Sequence, residues 1–314
     1  SFPNRSVFST ASGTVAMQSA IFCRPSACRT LVHLFVVTGD PLAKINHVLH
    51  ELADPPPEVE VTIVSGCAIT DDAQELPGIR FARYPGETPL DLRRRVPELA
   101  GDTEWVLLLE DHNHVDRAWL NRALASIAAA PVHATTVRGG AENLTSTDPW
   151  SWANFLMVLG FHWAPLQSQA HEPLFFNVAL RRARLLTKCL EVGEFEIKAL
   201  TALEEQPTAG NFPIDHVQFR RVPGVFFYHW CNGRMTGAVM RQHHPDGWRH
   251  VLRHARRVAG TRIQQLTEIV RRHPSAHRLP VGTLTRVAML SLCHAAGALF
   301  GGAFGIGDAA RHLE

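Results

Sequence analysis

From Leu31 onward, runs of apolar residues alternate with stretches whose apolar positions recur every three or four residues. "LVHLFVVTG" reads as a buried strand, "PLAKINHVLHEL" as a helix, and "EVEVTIVSG" as a second strand entered through the turn-forming "DPPP". A third short strand, "GIRFARYPG", precedes "TPLDLRRRVPELAG", a helix expected to be broken or started late by Pro97. "EWVLLLE" is apolar throughout, as a central strand covered on both faces must be. "RAWLNRALASIAAA" is then a helix and "VHATTVRGG" a strand. "TDPWSWANFLMVLGFHWAP" is an aromatic-rich helical or lid-like segment, and "EPLFFNVALRRARLL" a strand or turn followed by a helix. "GEFEIKALTALEE" reads as a helix and "FPIDHVQFRR" as a strand end carrying a histidine. Strands alternating with helices predict an α/β fold with an open sheet, whose ligands gather at the carboxyl ends of the strands.

The pattern changes after Gln242. Between Arg241 and Arg286 ten arginines stand against only Asp246 and Glu268, and Val287 to Gly307 is a stretch of 21 residues without formal charge. A basic amphipathic stretch leading into an apolar one suits a protein held at an anionic cytoplasmic membrane surface, either spanning it or lying in its interface. A solvated arginine face and a buried helical hairpin are the plainer alternatives. Three parts follow: a poorly defined extension over 1–30, an α/β domain over 31–241, and a basic, apolar helical region over 242–314.

Composition narrows the classes. With 314 residues, 46% of them hydrophobic, the chain can bury a full core and is not a disordered protein. A formal charge of +2 gives no global field for nucleic acid, so none is expected as a partner. Six cysteines without a C-x-x-C pair suggest neither a disulfide framework nor a cysteine zinc site, and Cys67 and Cys231 are expected to be buried without a role.

The candidate chemistry lies at the end of "EWVLLLE", where Glu110, Asp111, His112, His114 and Asp116 cluster. His112, His114 and Asp116 have the spacing of a zinc hydrolase motif, but Arg117 stands where a further histidine ligand would be needed. Alternatively, Glu110-Asp111-His112 presents acid and imidazole groups to a divalent metal that grips a diphosphate. A cation there stabilises the charge gathered by a departing nucleoside diphosphate.

In "PGETPLDLRRRVPELAGDTEWVLLLEDHNHVDRAWL", "DPWSWANFL", "FFNVALRR" and "DHVQFRRVPGVFFYHWCNGRMTGAVMR", the chain resembles the bacterial family-2-type glycosyltransferases of the GT-A fold. It is similar to a divergent branch with Glu-x-His in place of Asp-x-Asp, and the resemblance covers about Leu31 to Arg241. It implies an open mixed sheet flanked by helices, and inverting, metal-dependent transfer of a sugar from a nucleotide-sugar donor. The acceptor it implies is an envelope or lipid-linked glycan. Glu110, His112 and His216 would hold Mn or Mg. Arg93 or Arg94 would face the nucleotide, Asp111 would point away from the metal pair in an extended stretch and contact the nucleotide sugar, Asn177 would line the donor or acceptor pocket, and Asp71 or Asp72 would hold the base. Glu196 or Glu194 would be the catalytic base, and His229 and Arg234 would close over the diphosphate. Two departures, "VSGCAITDD" and "VDRAW", leave open a GT-A-like scaffold that binds without turnover. The zinc hydrolase remains a further alternative.

Overall fold

The computed structural model describes residues 32–38, 48, 50–67, 76–87, 89–111, 113–143, 146–165, 176–181, 208–216, 222–243 and 246–309. The expected 1–30 extension, the 193–205 helix, Asp71, Asp72, His112, Glu194 and Glu196 lie outside them.

Four apolar segments form the expected strands: β1 (Val32–Thr38), β2 (Val59–Ser65), β3 (Ile79–Arg83) and β4 (Trp105–Glu110). All four are parallel, in the order β3-β2-β1-β4. Beyond β4 the same sheet continues through β8 (Val178–Arg181), β6 (Thr136–Arg138) and β9 (Thr208–Ala209), with β8 antiparallel to both neighbours. A second, small sheet pairs β5 (Asn113–His114), β10 (Ile214–His216) and β7 (Ala141–Glu142). The fold is therefore α/β, an open mixed sheet flanked by helices, as the sequence pattern predicts.

Alternation along the strands separates two cores. Phe35, Val37, Val106 and Leu108 face α1 (Pro89–Leu99), which buries Leu92 and Val96 against them. Leu34, Val36, Leu107 and Leu109 face the opposite layer, which holds α2 (Arg117–Ala128) and α3 (Pro149–Leu159). β1 is buried along its whole length because both layers cover it.

Two expectations are corrected here. α1 runs unbroken through Pro97, which falls in its last turn, while burial of Leu92 and Val96 holds the helix where one backbone hydrogen bond is missing. The aromatic segment is no lid: Trp152, Phe155 and Leu156 of α3 are buried, and Trp163 beyond it stacks on His273 at 3.4 Å. A helix apolar nearly all round belongs in a core.

The helical layer starts at Val222, upstream of the expected boundary at 242, with α4 (Val222–His243). α5 (Gly247–Arg256) continues through a π-helical turn, Arg257–Arg262, into α6 (Ile263–Arg272). α7 (Thr283–Phe304) is the expected apolar segment. It is long and apolar enough to cross a membrane, yet half of that stretch is buried in the protein. α4 and α7 meet along a glycine seam. A Cβ at Gly233 or Gly237 would overlap the carbonyl oxygens of His294 or Ala298, and one at Gly297 or Gly301 those of Trp230 or Arg234. Glycines four apart on each helix thus let the two backbones touch. The basic stretch is only partly solvated: Arg262 donates to the Met157 carbonyl at 2.7 Å, and Arg286 lies over the Trp150 ring at 5.1 Å.

Candidate functional site

After β1 the chain builds β2 and β3 on one side and then returns to place β4 on the other. The crevice at the carboxyl ends of β1 and β4 is therefore a topological switch point, where open α/β sheets bind ligands. Thr38 ends β1 and Glu110 ends β4, so both deliver polar groups there. The Thr38 hydroxyl donates to Asp111 Oδ2 at 2.5 Å, which ties the two strand ends together.

Glu110 is the centre of the site. Arg93, reaching up from α1, donates to Glu110 Oε1. His216 Nε2, on β10, lies 3.6 Å from Glu110 Oε2. All three side chains are less than one-fifth exposed, so the Arg93–Glu110 pair is screened less than a surface pair. Phe176 lies against the His216 ring with centroids 4.9 Å apart, limiting its rotation. Of the two candidate arginines Arg93 enters the site, while Arg94 pairs with Asp91 at 3.0 Å on the outer side of the helix.

The small sheet adds two residues that sequence reasoning missed. His216 pairs with Asn113 across β5, and the β10–β7 register, carried one residue past Asp215↔Glu142, brings Asn143 level with His216. Residues paired across neighbouring strands share a face, so Asn113 lies beside the imidazole, and Asn143 follows directly on the last paired residue of β7. Asn113 donates to the Glu110 carbonyl at 3.1 Å, leaving its Oδ1 without a partner among the described residues. Asn143 is 1% exposed, and neither end of its amide finds a partner among them. Buried amides in that state are ready to bind a ligand's hydroxyl or phosphate oxygens. The signal was weak: "GGAEN" reads as a turn, and nothing local shows that it folds back beside β10. On the other face, Glu142 is held above the usual carboxylate range by burial, against the attraction of Arg278 and with a further push from Asp215.

Asn177, expected to line the donor or acceptor pocket, braces loops through its amide nitrogen, while its Oδ1 has no partner among the described residues. It is fully buried at a positive φ of 50°, and its amide donates to the Gly140 and Phe212 carbonyls at 2.6 and 2.9 Å. It fixes the loops that carry β7 and β10, and Gly139 must lack a side chain because a Cβ there would overlap the Asn177 amide and the Phe212 ring. His229 and Arg234 are also structural. His229 Nε2 lies 2.9 Å from Asn154 Oδ1 inside the helical layer, and Arg234 donates to the Gly305 carbonyl at 3.0 Å and faces Asp308. Cys231 is buried as expected and Cys67 half-buried.

Of the zinc arrangement, His112 lies outside the described residues, and the other two members have other settings. Asp116 caps α2, accepting from the Trp119 amide at 2.5 Å, while His114 is exposed on β5 and Arg117 binds the Ala53 and Asp54 carbonyls. No group of three metal-ligating side chains occurs among the described residues. A divalent cation that also binds phosphate oxygens and water needs only one or two protein ligands, and adjacent ligands about 2.1 Å from such an ion stand about 3 Å apart. Glu110 Oε2 and His216 Nε2, at 3.6 Å, fit that role after a slight closing movement, with Arg93 holding the other carboxylate oxygen.

No protein-family model and no curated protein matches the chain. Among solved structures, S. aureus TarS 1–349 is 14% identical, with 85% of this chain and 90% of that one covered at a TM-score of 0.41. TarS 1–349 in complex with UDP-GlcNAc has a TM-score of 0.42 at the same identity and coverage. Glucosyl-3-phosphoglycerate synthase from Mycobacterium tuberculosis, in complex with Mn2+, UDP and glucosyl-3-phosphoglycerate, is 15% identical, with 62% and 74% covered at a TM-score of 0.40. At these identities and scores none of them assigns a substrate or a residue role to this chain.

Proposed function

We propose that this chain is a GT-A-like glycosyltransferase, moving a sugar from a nucleotide-sugar donor to an envelope or lipid-linked glycan at the cytoplasmic face of the cell membrane. The observation that carries the reading is the meeting of Arg93, Glu110 and His216 at the switch point between β1 and β4. Glu110 and His216 would hold Mn or Mg, which supplies positive charge to the departing diphosphate. Arg93 orients the Glu110 carboxylate and adds a cation facing the same space. Asn113 and Asn143 offer neutral hydrogen bonds to the donor beside His216.

Inverting transfer needs a base that takes the acceptor hydroxyl's proton as that oxygen attacks the anomeric carbon. Glu196 or Glu194 is assigned that role from the resemblance, with His112 as a third metal ligand and Asp71 on the base; all four lie outside the described residues. The reading of a scaffold that binds without turnover rests on one observation. Arg93 already neutralises Glu110, which weakens the pull of that carboxylate on a cation.

The test is calorimetric titration with UDP, GDP and dTDP, with and without Mn2+ or Mg2+, on the wild type and on Glu110→Ala and His216→Ala. The expected result is metal-dependent binding of one nucleotide, lost in both variants. Folded protein that binds no nucleotide under any of these conditions overturns the transferase reading.

A further inference from the structure

The helical layer carries an apolar face that no described element covers. On α7 the buried side is the glycine seam, while Met289, Leu292 and Leu299 recur at helical spacing on the outward side, with Phe300 on its flank and Phe304 exposed at the helix end. Leu292 is 59% exposed and Phe304 71%. The stripe widens on both flanks. Trp230 of α4 packs on Phe300 at 5.4 Å, and Trp248 of α5 lies against Gly302 with much of its ring in the open.

Arginines border this face on both flanks. Arg249, Arg253 and Arg256 of α5 are exposed on the same arc as Trp248 and Leu252. Arg234 lies over Phe300 at 5.1 Å and Arg241 over Trp248 at 6.0 Å, so both run their stems along the aromatic surface. None of α4, α5 and α7 contains an Asp or Glu.

We infer that this three-helix face docks on an anionic lipid bilayer, lying in the interface. The apolar stripe meets the acyl boundary, the tryptophans sit at headgroup level, and the arginines meet lipid phosphates. Packing argues against spanning: one side of α7 is the seam with α4, and α3 and α5 pack on α7 as well. A second copy of the chain is a poorer occupant, because stacking two such faces brings arginine rims together, and the flanking acids Asp246 and Asp308 are already paired with Arg249 and Arg234. The inference does not rest on the transferase reading, although it would place that site beside a membrane-held acceptor.

Vesicle flotation with the full chain tests it, comparing phosphatidylcholine vesicles with phosphatidylcholine containing phosphatidylglycerol. Binding is expected with the anionic vesicles and should fall as salt rises. Each arginine near such a surface strengthens binding by about fivefold, so Arg253→Glu with Arg256→Glu should weaken it by about thirtyfold or more. Leu292→Asp with Phe304→Asp should abolish it, and since both side chains are exposed the variant should keep its melting temperature and circular dichroism. Wild-type protein that stays unbound with both vesicle types overturns the inference, as does equal binding to both that ignores the arginine variant. A dimer in solution dissolved by the Leu292→Asp, Phe304→Asp pair, without vesicle binding, would mean that a second copy covers the face. Vesicle binding without nucleotide binding would fail the transferase reading alone.

Discussion

Lowering the pH should destabilise this protein well before its carboxylates titrate, and His254 on α5 is the main reason. Its Nε2 lies 3.1 Å from His294 Nε2 on α7, and burial, reinforced by Arg262 and Arg257, holds its pKa down at about 4. The unfolded chain binds that proton near 6.5, so between 6.5 and about 4 the unfolded state carries more protons than the folded one. The contribution is complete above pH 6.5 and disappears as the pH falls to about 4. At about 1.4 kcal/mol per pH unit the ceiling is about 3 kcal/mol, and partial exposure of the ring lowers this to about 1–3 kcal/mol. Against a domain stability of about 5–15 kcal/mol, that is readily measured. His33 and His273, also held low by burial, steepen the same slope, so the informative comparison is wild type with His254→Gln. Glutamine keeps a hydrogen bond to His294 and cannot take the proton. Urea unfolding at steps from pH 7 to 4.5 should show the variant losing less stability than the wild type. Parallel curves refute the assignment.

Three further outcomes are expected. Gly301→Ala should lower stability by about 2–3 kcal/mol in urea, because its Cβ falls far inside the 3.4 Å of ordinary contact with the Arg234 carbonyl; an unchanged midpoint would show that α4 and α7 can part freely. Asn143→Leu should leave the melting temperature unchanged or raise it, since the amide has no partner among the described residues, while weakening donor nucleotide binding in calorimetry. The reverse pattern would make Asn143 a structural residue. Asp116→Ala should cost about 1 kcal/mol as a lost helix cap and leave metal content unchanged, whereas zinc lost with it would revive the hydrolase motif.

Period and apolarity were enough to find β1, β2, β4 and α2, because each is bounded by turn residues and buries a regular face. They could not distinguish a lid from a core helix over "PWSWANFLMVL", since aromatic residues serve both. At the site, Glu110 and His216 were legible as polar groups closing apolar strands. Their partners were not. Arg93 among three consecutive arginines is chosen only by the angle at which α1 crosses the sheet. Asn143 gains its place from a strand pairing more than seventy residues distant in sequence. Asn177 is assigned to the donor or acceptor pocket by the resemblance, while its positive φ and two carbonyl bonds make it a brace for the loops.

The glycine seam also bears on the order in which the chain assembles. α4 is made well before α7, and until Thr283–Phe304 emerges, Gly233 and Gly237 offer α7's docking surface bare backbone with nothing against it. Neither helix has side chains along that line to grip a partial or misplaced neighbour, so close van der Waals contact begins only when the two are in register. The sheet half from β1 to β4 is complete by Glu110 and can form first, with the helical layer closing last as one step. Amides of α4 and α7 should therefore gain and lose hydrogen-exchange protection together, as a unit separate from the sheet.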